Sequence, residues 1–103
     1  MNDQLEKKAE FLKAMAQPTR LKILDLLRQG ERCVCDIFPA IGEQQSNVSR
    51  HLQFMRRAGV LASRKEGLRV MYRIRDSKTR KLLEDVEGLF GERRSPKRRR
   101  SAA

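Results

Sequence analysis

Two cysteines separated by one residue are the side chains of this sequence best suited to chemistry. They stand in the segment Arg32-Cys33-Val34-Cys35-Asp36, and the chain has no other cysteine. Thiolates are soft ligands for thiophilic ions, and free cysteines are also common as small buried core residues. A bridge between them would close a very small, strained ring. We therefore expect two reduced thiols, which serve either as a sensor or as part of the core.

The length of the chain limits what surrounds these cysteines. A chain of 103 residues allows one small domain, for which dimerisation would add buried apolar surface. No stretch approaches the roughly eighteen apolar residues of a membrane span, and the charged, polar start from Asn2 to Glu10 does not resemble a signal peptide. The sequence therefore predicts a cytoplasmic protein, with reduced thiols and no membrane partner.

The positive charge is concentrated in one block. The formal net charge is +11, yet residues 1–45 carry seven basic and seven acidic side chains. Residues 46–75 carry eight basic side chains and a single acid, Glu66, and six more basic side chains follow from Arg93 onward. A neutral body with a cationic block is typical of a nucleic-acid-binding face, whereas a merely solvated surface would intersperse the signs.

Hydrophobic periodicity predicts a mainly α fold with a small β-hairpin. Helices are expected over residues 3–16, 18–28, 34–41, 46–57 and 78–90, and strands over 60–65 and 70–75. Gly42 lies between two of these helices, and Ser46 is a plausible N-cap for the second. A short helix, a turn and an amphipathic helix, followed by a hairpin, predict a winged helix-turn-helix (ααααββα) over residues 1–91. Residues 92–103 are expected to form a basic disordered tail.

The helix over 46–57 has the features of a DNA-reading helix. Val48, Leu52 and Met55 form its inward stripe. The remaining polar positions predict the DNA contacts Gln45, Ser46, Asn47, Ser49, Arg50, His51 and Gln53. Arginine pairs with guanine and Asn or Gln with adenine, whereas the serines suit phosphates. A solvated helix face remains the alternative, and for His51 a structural or phosphate-contacting role is expected in preference to metal ligation.

The wing and the tail supply further cationic contacts. Arg64 and Arg69 are the wing residues expected to reach DNA, with Arg69 beside the turn suited to a narrow minor groove. The tail is expected to add salt-sensitive attraction that does not depend on sequence.

Four segments in this order resemble the bacterial ArsR/SmtB family of winged-helix repressors. They are Gln17-Pro18-Thr19-Arg20-Leu21-Lys22-Ile23-Leu24, Gln45-Ser46-Asn47-Val48-Ser49-Arg50-His51-Leu52, Ala58-Gly59-Val60-Leu61, and Lys65-Glu66-Gly67 with Tyr72-Arg73. The resemblance implies a homodimer, built mainly from the first and last helices, on palindromic double-stranded operator DNA. It also implies release of the operator by an inducer. The apolar stripes over 5–16 and 82–90 suit such an interface, or an intramolecular core.

Within that family, Cys33-Val34-Cys35-Asp36 resembles the metal site of the arsenic- and antimony-responsive branch. The resemblance implies As(III) or Sb(III) at Cys33 and Cys35, without a required cofactor. Phe38 stands where a third cysteine often occurs, so the third ligand would come from outside the protein. Cadmium- and lead-responsive relatives carry N-terminal cysteines that this chain lacks, which makes those ions less expected. Zinc-responsive relatives use Asp and His side chains on the last helix. Zinc is therefore disfavoured here, because residues 78–90 contain no histidine.

The spacing of the cysteines suggests a mechanism and leaves alternatives. If both lay in a helix they would be about 200° apart, so that one ion could bridge them only if the first turn were non-helical or unwound. Pro39 would ease this unwinding. A thiol-based redox or sulfide sensor of the same fold is one alternative, and a nonspecific architectural nucleic-acid-binding protein is another. An enzyme is not expected, because no nucleophile–base or acid pair stands out.

Overall fold

A computed structural model describes residues 3–92, and these residues fold into five helices and three short strands. The helices are α1 (Asp3–Lys13), α2 (Pro18–Leu27), α3 (Val34–Ile41), α4 (Gln45–Arg57) and α5 (Ser77–Leu89). The strands are β1 (Arg32–Cys33), β2 (Leu61–Glu66) and β3 (Arg69–Ile74). This confirms the predicted winged helix-turn-helix. The predicted tail lies outside the described residues from position 93 onward.

The core is built around α2 and closed by the inward faces of α3 and α4. The largest fully buried side chains are Ile23, Leu24, Leu27, Ile37, Val48, Leu52, Met55, Val60 and Leu61. The inward stripe predicted for α4 is confirmed, since its three members are completely buried. Burial of each such side chain contributes about 1.5–3 kcal/mol, and this fixes the rotation of α4 about its axis.

The first helix ends earlier than predicted. The expected helix ran to residue 16, but α1 stops at Lys13. Ala14 and Met15 follow it and are almost completely buried, whereas α1 itself contains no buried residue. The chain leaves the helix because this brings two apolar side chains into the core, a tertiary effect that local periodicity does not report.

The turn between α3 and α4 depends on a glycine. Gly42 has a φ of 82°, a left-handed conformation that favours glycine. The N–H groups of Gly42 and Glu43 both donate to the carbonyl of Phe38, at 3.0 and 3.2 Å, which ends α3. The predicted N-cap at Ser46 is wrong. Only Glu43 and Gln44 separate Gly42 from α4. Gln44 is therefore the N-cap, without a side-chain hydrogen bond, and Ser46 lies in the first turn of the helix.

The wing has three strands where the sequence predicted two. The strand order is β1-β3-β2, and both pairings are antiparallel. Gly67 and Leu68 connect β2 to β3, with Gly67 at a φ of 66°. The extra strand β1 has only two residues, too few for an alternating pattern to reveal it. It places Cys33 opposite Met71 in the same sheet as the wing arginines.

Several large apolar side chains of α1 and α5 face away from the core. Leu5 and Leu12 on α1 are more than half exposed, and so are Leu89 and the following Phe90 at the end of α5. These are the faces for which the sequence left an interface or a core role open, and within one chain most of this surface stays uncovered. None of the helices among residues 3–92 has the length and apolar character that a membrane crossing requires.

Candidate nucleic-acid interface and thiol site

The predicted DNA-reading residues occupy the outer surface of α4, mostly in its first two turns. Gln45, Ser46, Arg50 and Gln53 are exposed, whereas Asn47, Ser49 and His51 are half-buried. Ser46, Arg50 and Gln53 lie opposite the buried stripe, because a helix that buries one face must present the other. The exposed members are free to meet a major groove, and two of the half-buried members, Asn47 and His51, have hydrogen-bond partners within the protein.

Arg20 of α2 fixes the position of α4. Its guanidinium lies over the ring of Phe54, 4.3 Å from the centroid. Its Nε donates to Nδ1 of His51 at 3.2 Å, and its Nη1 donates to the carbonyl of Lys13 at 2.9 Å. One side chain therefore ties together the end of α1, the start of α2 and the middle of α4.

This arrangement gives His51 a structural partner. An Nδ1 that accepts a hydrogen bond carries no proton, so the geometry requires the neutral imidazole. Partial burial, together with the charges of Arg20 and Arg50, lowers the pKa of His51, although Glu43 opposes this shift. His51 thus holds α4 to α2 as a neutral acceptor at neutral pH.

Glu43, in the turn before α4, makes a second connection between these helices. The Thr19 hydroxyl donates to its Oε2 at 3.1 Å, and the amide Nδ2 of Asn47 donates to its Oε1. Asn47 is therefore turned toward the protein. For Asn47 to read a base, it would have to exchange Glu43 for the DNA.

The two wing arginines that the sequence selected are both exposed, and both have carboxylate partners. Arg64 donates from Nε and Nη2 to the two carboxylate oxygens of Glu31, at 2.9 and 2.7 Å, and Glu66 lies 3.5 Å away. Arg69 lies 3.8 Å from Asp36. The hydrogen bond from Arg64 lowers the pKa of Glu31 and raises that of Arg64 itself. Glu31 and Asp36 both belong to the segment that contains the cysteines.

The structure changes the expectation for the cysteine pair in two respects. First, Cys33 and Cys35 are joined in a disulfide, with their Cα atoms 5.1 Å apart, so the expectation of reduced thiols in this state is wrong. Second, the two residues do not share a helix. Cys33 ends β1 with extended backbone angles and acts as the N-cap of α3, its Sγ accepting from the N–H of Cys35 at 3.0 Å.

Of the two geometries that the sequence left open for the thiol site, a non-helical start and an unwound turn, the structure shows the first. The 200° separation applies only within a helix, and here the helix begins after Cys33. The two sulfurs therefore meet without any unwinding of α3, and the easing of unwinding that we expected from Pro39 is not needed. Cys33 is 3 % exposed, whereas Cys35 is exposed to solvent. A reagent or an ion from solution would reach Cys35 first.

The residues around the pair add no third protein ligand. Among residues 3–92, no group of three or more His, Cys, Asp or Glu side chains is placed to hold a metal ion. Phe38 is half-buried and packs against the core, so it belongs to the structure of α3. A soft trivalent ion fits the donor set to the extent that two sulfurs lie side by side, one buried and one open to solvent.

Sequence reasoning missed three residues that organise this region: Arg20, Glu31 and Asp36. Arg20 stood in a recognised motif, but nothing local indicated that it would stack on Phe54. Glu31 and Asp36 flank the cysteines, and an acid on each side of the pair was a visible signal. Its meaning depended on β1, which brings the cysteine segment alongside the wing.

Comparison with protein families gives a match to the model described as bacterial regulatory protein, arsR family, over residues 17–63. An HTH-type transcriptional regulator of Methanocaldococcus jannaschii is 39% identical over 88 residues, which cover 84% of this chain and 99% of that protein. The arsenical resistance operon repressor of Escherichia coli is 44% identical over 66 residues, which cover 63% of this chain and 56% of that repressor.

A similar solved structure has the same architecture. The homodimeric winged helix-turn-helix DNA-binding domain from Mycobacterium bovis superposes with a TM-score of 0.80 at 35% sequence identity, and the match covers 92% of each chain. The family match and the M. jannaschii relative together place the chain among DNA-binding transcriptional regulators, and not among enzymes.

Proposed function

This chain belongs to the ArsR/SmtB family of winged-helix transcriptional regulators, and on that premise we propose that it represses a metalloid-resistance operon and releases its operator when As(III) or Sb(III) binds Cys33 and Cys35. It acts as a homodimer on double-stranded DNA in the cytoplasm. One observation carries the proposal: the two sulfurs lie side by side between the wing sheet and the helix-turn-helix, with Cys35 open to solvent.

The chemistry of the pair suits a soft trivalent ion. Reduction comes first, when two small-molecule thiols form a disulfide and leave Cys33 and Cys35 as thiols. Arsenous acid then exchanges two of its hydroxyl groups for the two sulfurs. Each exchange forms one As–S bond and releases one water, without any change in the oxidation state of arsenic. The third ligand is a small thiol or a hydroxyl group, because the protein supplies two.

The DNA side of the proposal rests on α4 and the wing. Arg50, Gln45 and Gln53 are exposed on the outer face of α4 and are proposed to read base edges. Ser46, Ser49 and His51 suit phosphates nearby. Arg64 and Arg69 extend the cationic surface along the wing, where phosphate contacts add affinity without specifying sequence.

The proposed coupling runs through the wing sheet. Since Cys33 pairs with β3 in that sheet, a change at its sulfur acts directly on strand pairing next to the arginines. Cys33 also caps α3, the first helix of the helix-turn-helix. An ion that binds one arrangement of this junction preferentially shifts DNA affinity by the same coupling energy, usually about 1–3 kcal/mol.

A thiol redox switch is the second candidate, and the disulfide supports it. In that case the two thiols lose two protons and two electrons to a peroxide, which is reduced to water. The disulfide form would release the operator without any ion.

A release assay distinguishes these functions. An operator fragment recovered by selection from random DNA is bound by the reduced protein, and As(III), Sb(III), Cd(II), Pb(II), Zn(II) and peroxide are then titrated separately. The proposal expects release by As(III) and Sb(III) at the lowest concentrations. Release by peroxide alone favours the redox switch, and no release by any of them refutes both.

Two variants and one control complete the assay. Cys33→Ser keeps an N-cap acceptor at the start of α3, and Cys35→Ser changes an exposed side chain, so neither should prevent operator binding. Both should abolish release by As(III). Ala40→Ser is the control, because Ala40 is exposed on the same helix and lies away from the sulfurs in sequence. It should respond as the original chain does.

A further inference from the structure

The two acids that flank the cysteines, Glu31 and Asp36, each meet an arginine of the wing. Glu31 accepts two hydrogen bonds from Arg64, at 2.9 and 2.7 Å. Asp36 lies 3.8 Å from Arg69. The segment 31–36 is thus connected to the wing at both ends, through side chains that the sequence assigns to DNA.

The sheet register places the buried cysteine in the same row as one of these arginines. Cys33 is opposite Met71 on one side of β3, and Arg64 is opposite Met71 on the other side. Residues directly opposite each other in a sheet project to the same face. Cys33, Met71 and Arg64 therefore share one face, and Arg69 lies on it too, two residues from Met71 along β3.

A carboxylate and a phosphate accept hydrogen bonds from the same arginine N–H groups. An arginine offers five N–H groups in a fixed fork, and a bidentate pair takes two of them on one edge. While Arg64 donates from Nε and Nη2 to Glu31, it cannot present that edge to DNA. The acid also cancels the positive charge that would displace counterions from phosphates.

We propose that Glu31 and Asp36 are internal competitors of DNA for the wing arginines, and that the state of Cys33 and Cys35 sets how firmly they hold. The second clause rests on the proposed function. The reduced pair leaves the acids easy to displace by phosphate. An ion bound to both sulfurs fixes the segment, keeps the acids on Arg64 and Arg69, and lowers operator affinity.

A double-mutant cycle tests the competition. Glu31→Gln and Asp36→Asn should each raise operator affinity about twofold to fivefold, the range expected for loss of one exposed ion pair. In an Arg64→Gln background, Glu31→Gln should then have no effect, and Arg69→Gln should likewise abolish the effect of Asp36→Asn. Fluorescence anisotropy with labelled operator measures all of these on the full chain.

Asp85→Asn removes an exposed acid from α5, where it pairs with Lys81 at 3.3 Å, and should leave operator affinity unchanged. If Glu31→Gln still raises affinity without Arg64, the cause is a general loss of negative charge and the competition is refuted. If Glu31→Gln lowers affinity, the acid orients the arginine for DNA, which also refutes it.

The link to the cysteines has its own readout. In the Glu31→Gln, Asp36→Asn double variant, As(III) should weaken operator binding less than it does in the original chain. An unchanged response refutes the link but leaves the competition standing. Failure of the proposed function is a separate result, seen as no release of the original chain by As(III), whatever the acid variants do.

Discussion

The recognition helix and the wing both face the proposed DNA, but the protein holds them in different ways. Helix α4 buries Val48, Leu52 and Met55 completely and is pinned by Arg20. The wing tip has Leu68 fully exposed, and its arginines are held by ion pairs. A surface fixed by packing suits base reading, which needs exact geometry, whereas one held by exposed ion pairs can change its contacts at low cost.

The largest expected difference between the two regions concerns stability. Leu52→Ala removes a completely buried side chain and should lower the free energy of unfolding by about 2–5 kcal/mol. Leu68→Ala changes an exposed wing residue and should alter it by less than about 0.5 kcal/mol. Urea denaturation followed by circular dichroism measures both. Similar losses of unfolding free energy in the two variants would contradict the difference between α4 and the wing.

Replacing Arg20, which holds α4 to α2, should have the next largest effect on the free energy of unfolding. Arg20→Ala loses the stacking on Phe54 and the hydrogen bonds to His51 and Lys13, which we expect to cost about 1–3 kcal/mol of unfolding free energy. Arg20→Lys keeps the charge but loses the planar fork, so it should recover only part of this loss. A full recovery in urea denaturation would mean that charge alone matters here.

The two regions should differ in how they affect operator recognition. Arg50→Ala is expected to relax the preference for one base pair by about 1–3 kcal/mol. Arg69→Ala should weaken operator and unrelated DNA alike and reduce the salt slope of binding by about 0.9. Binding to operator and scrambled DNA at several salt concentrations gives both quantities. A loss of sequence preference in Arg69→Ala would reverse the assignment.

The smallest effect concerns pH. The folded state lowers the pKa of His51, so the unfolded chain takes up a proton at a higher pH than the folded one. The unfolding free energy should therefore be highest above the unfolded pKa of about 6.5 and fall as the pH drops through the lower folded pKa. His51→Gln should reduce this dependence between pH 7.5 and 5, because the chain has no other histidine.

Much of the fold could be predicted because its signals are local. The stripe of α4 and the glycine turn at Gly42 can be recognised in the sequence, and both lie where they were expected. The early end of α1 could not be foreseen, since it depends on where Ala14 and Met15 meet the core.

The candidate site was less predictable, for the same physical reason. The pattern singled out Cys33 and Cys35, but the short strand that contains Cys33 was not predicted. Strand β1, only two residues long, depends on β3, nearly forty residues away in sequence. That pairing holds Cys33 in extended backbone ahead of α3 and brings Glu31 and Asp36 to the wing arginines. The proposed coupling therefore runs through the sheet instead of through unwinding of α3.

The central claim is that the cysteine pair acts on DNA through the wing. The most direct test measures the salt slope of binding and the ratio of operator to scrambled-DNA affinity, with and without As(III), on the reduced protein. The account predicts that As(III) lowers affinity for both DNAs and reduces the salt slope, while the ratio changes little. A collapse of the ratio at an unchanged slope would show that the signal reaches the recognition helix instead, and would contradict the account.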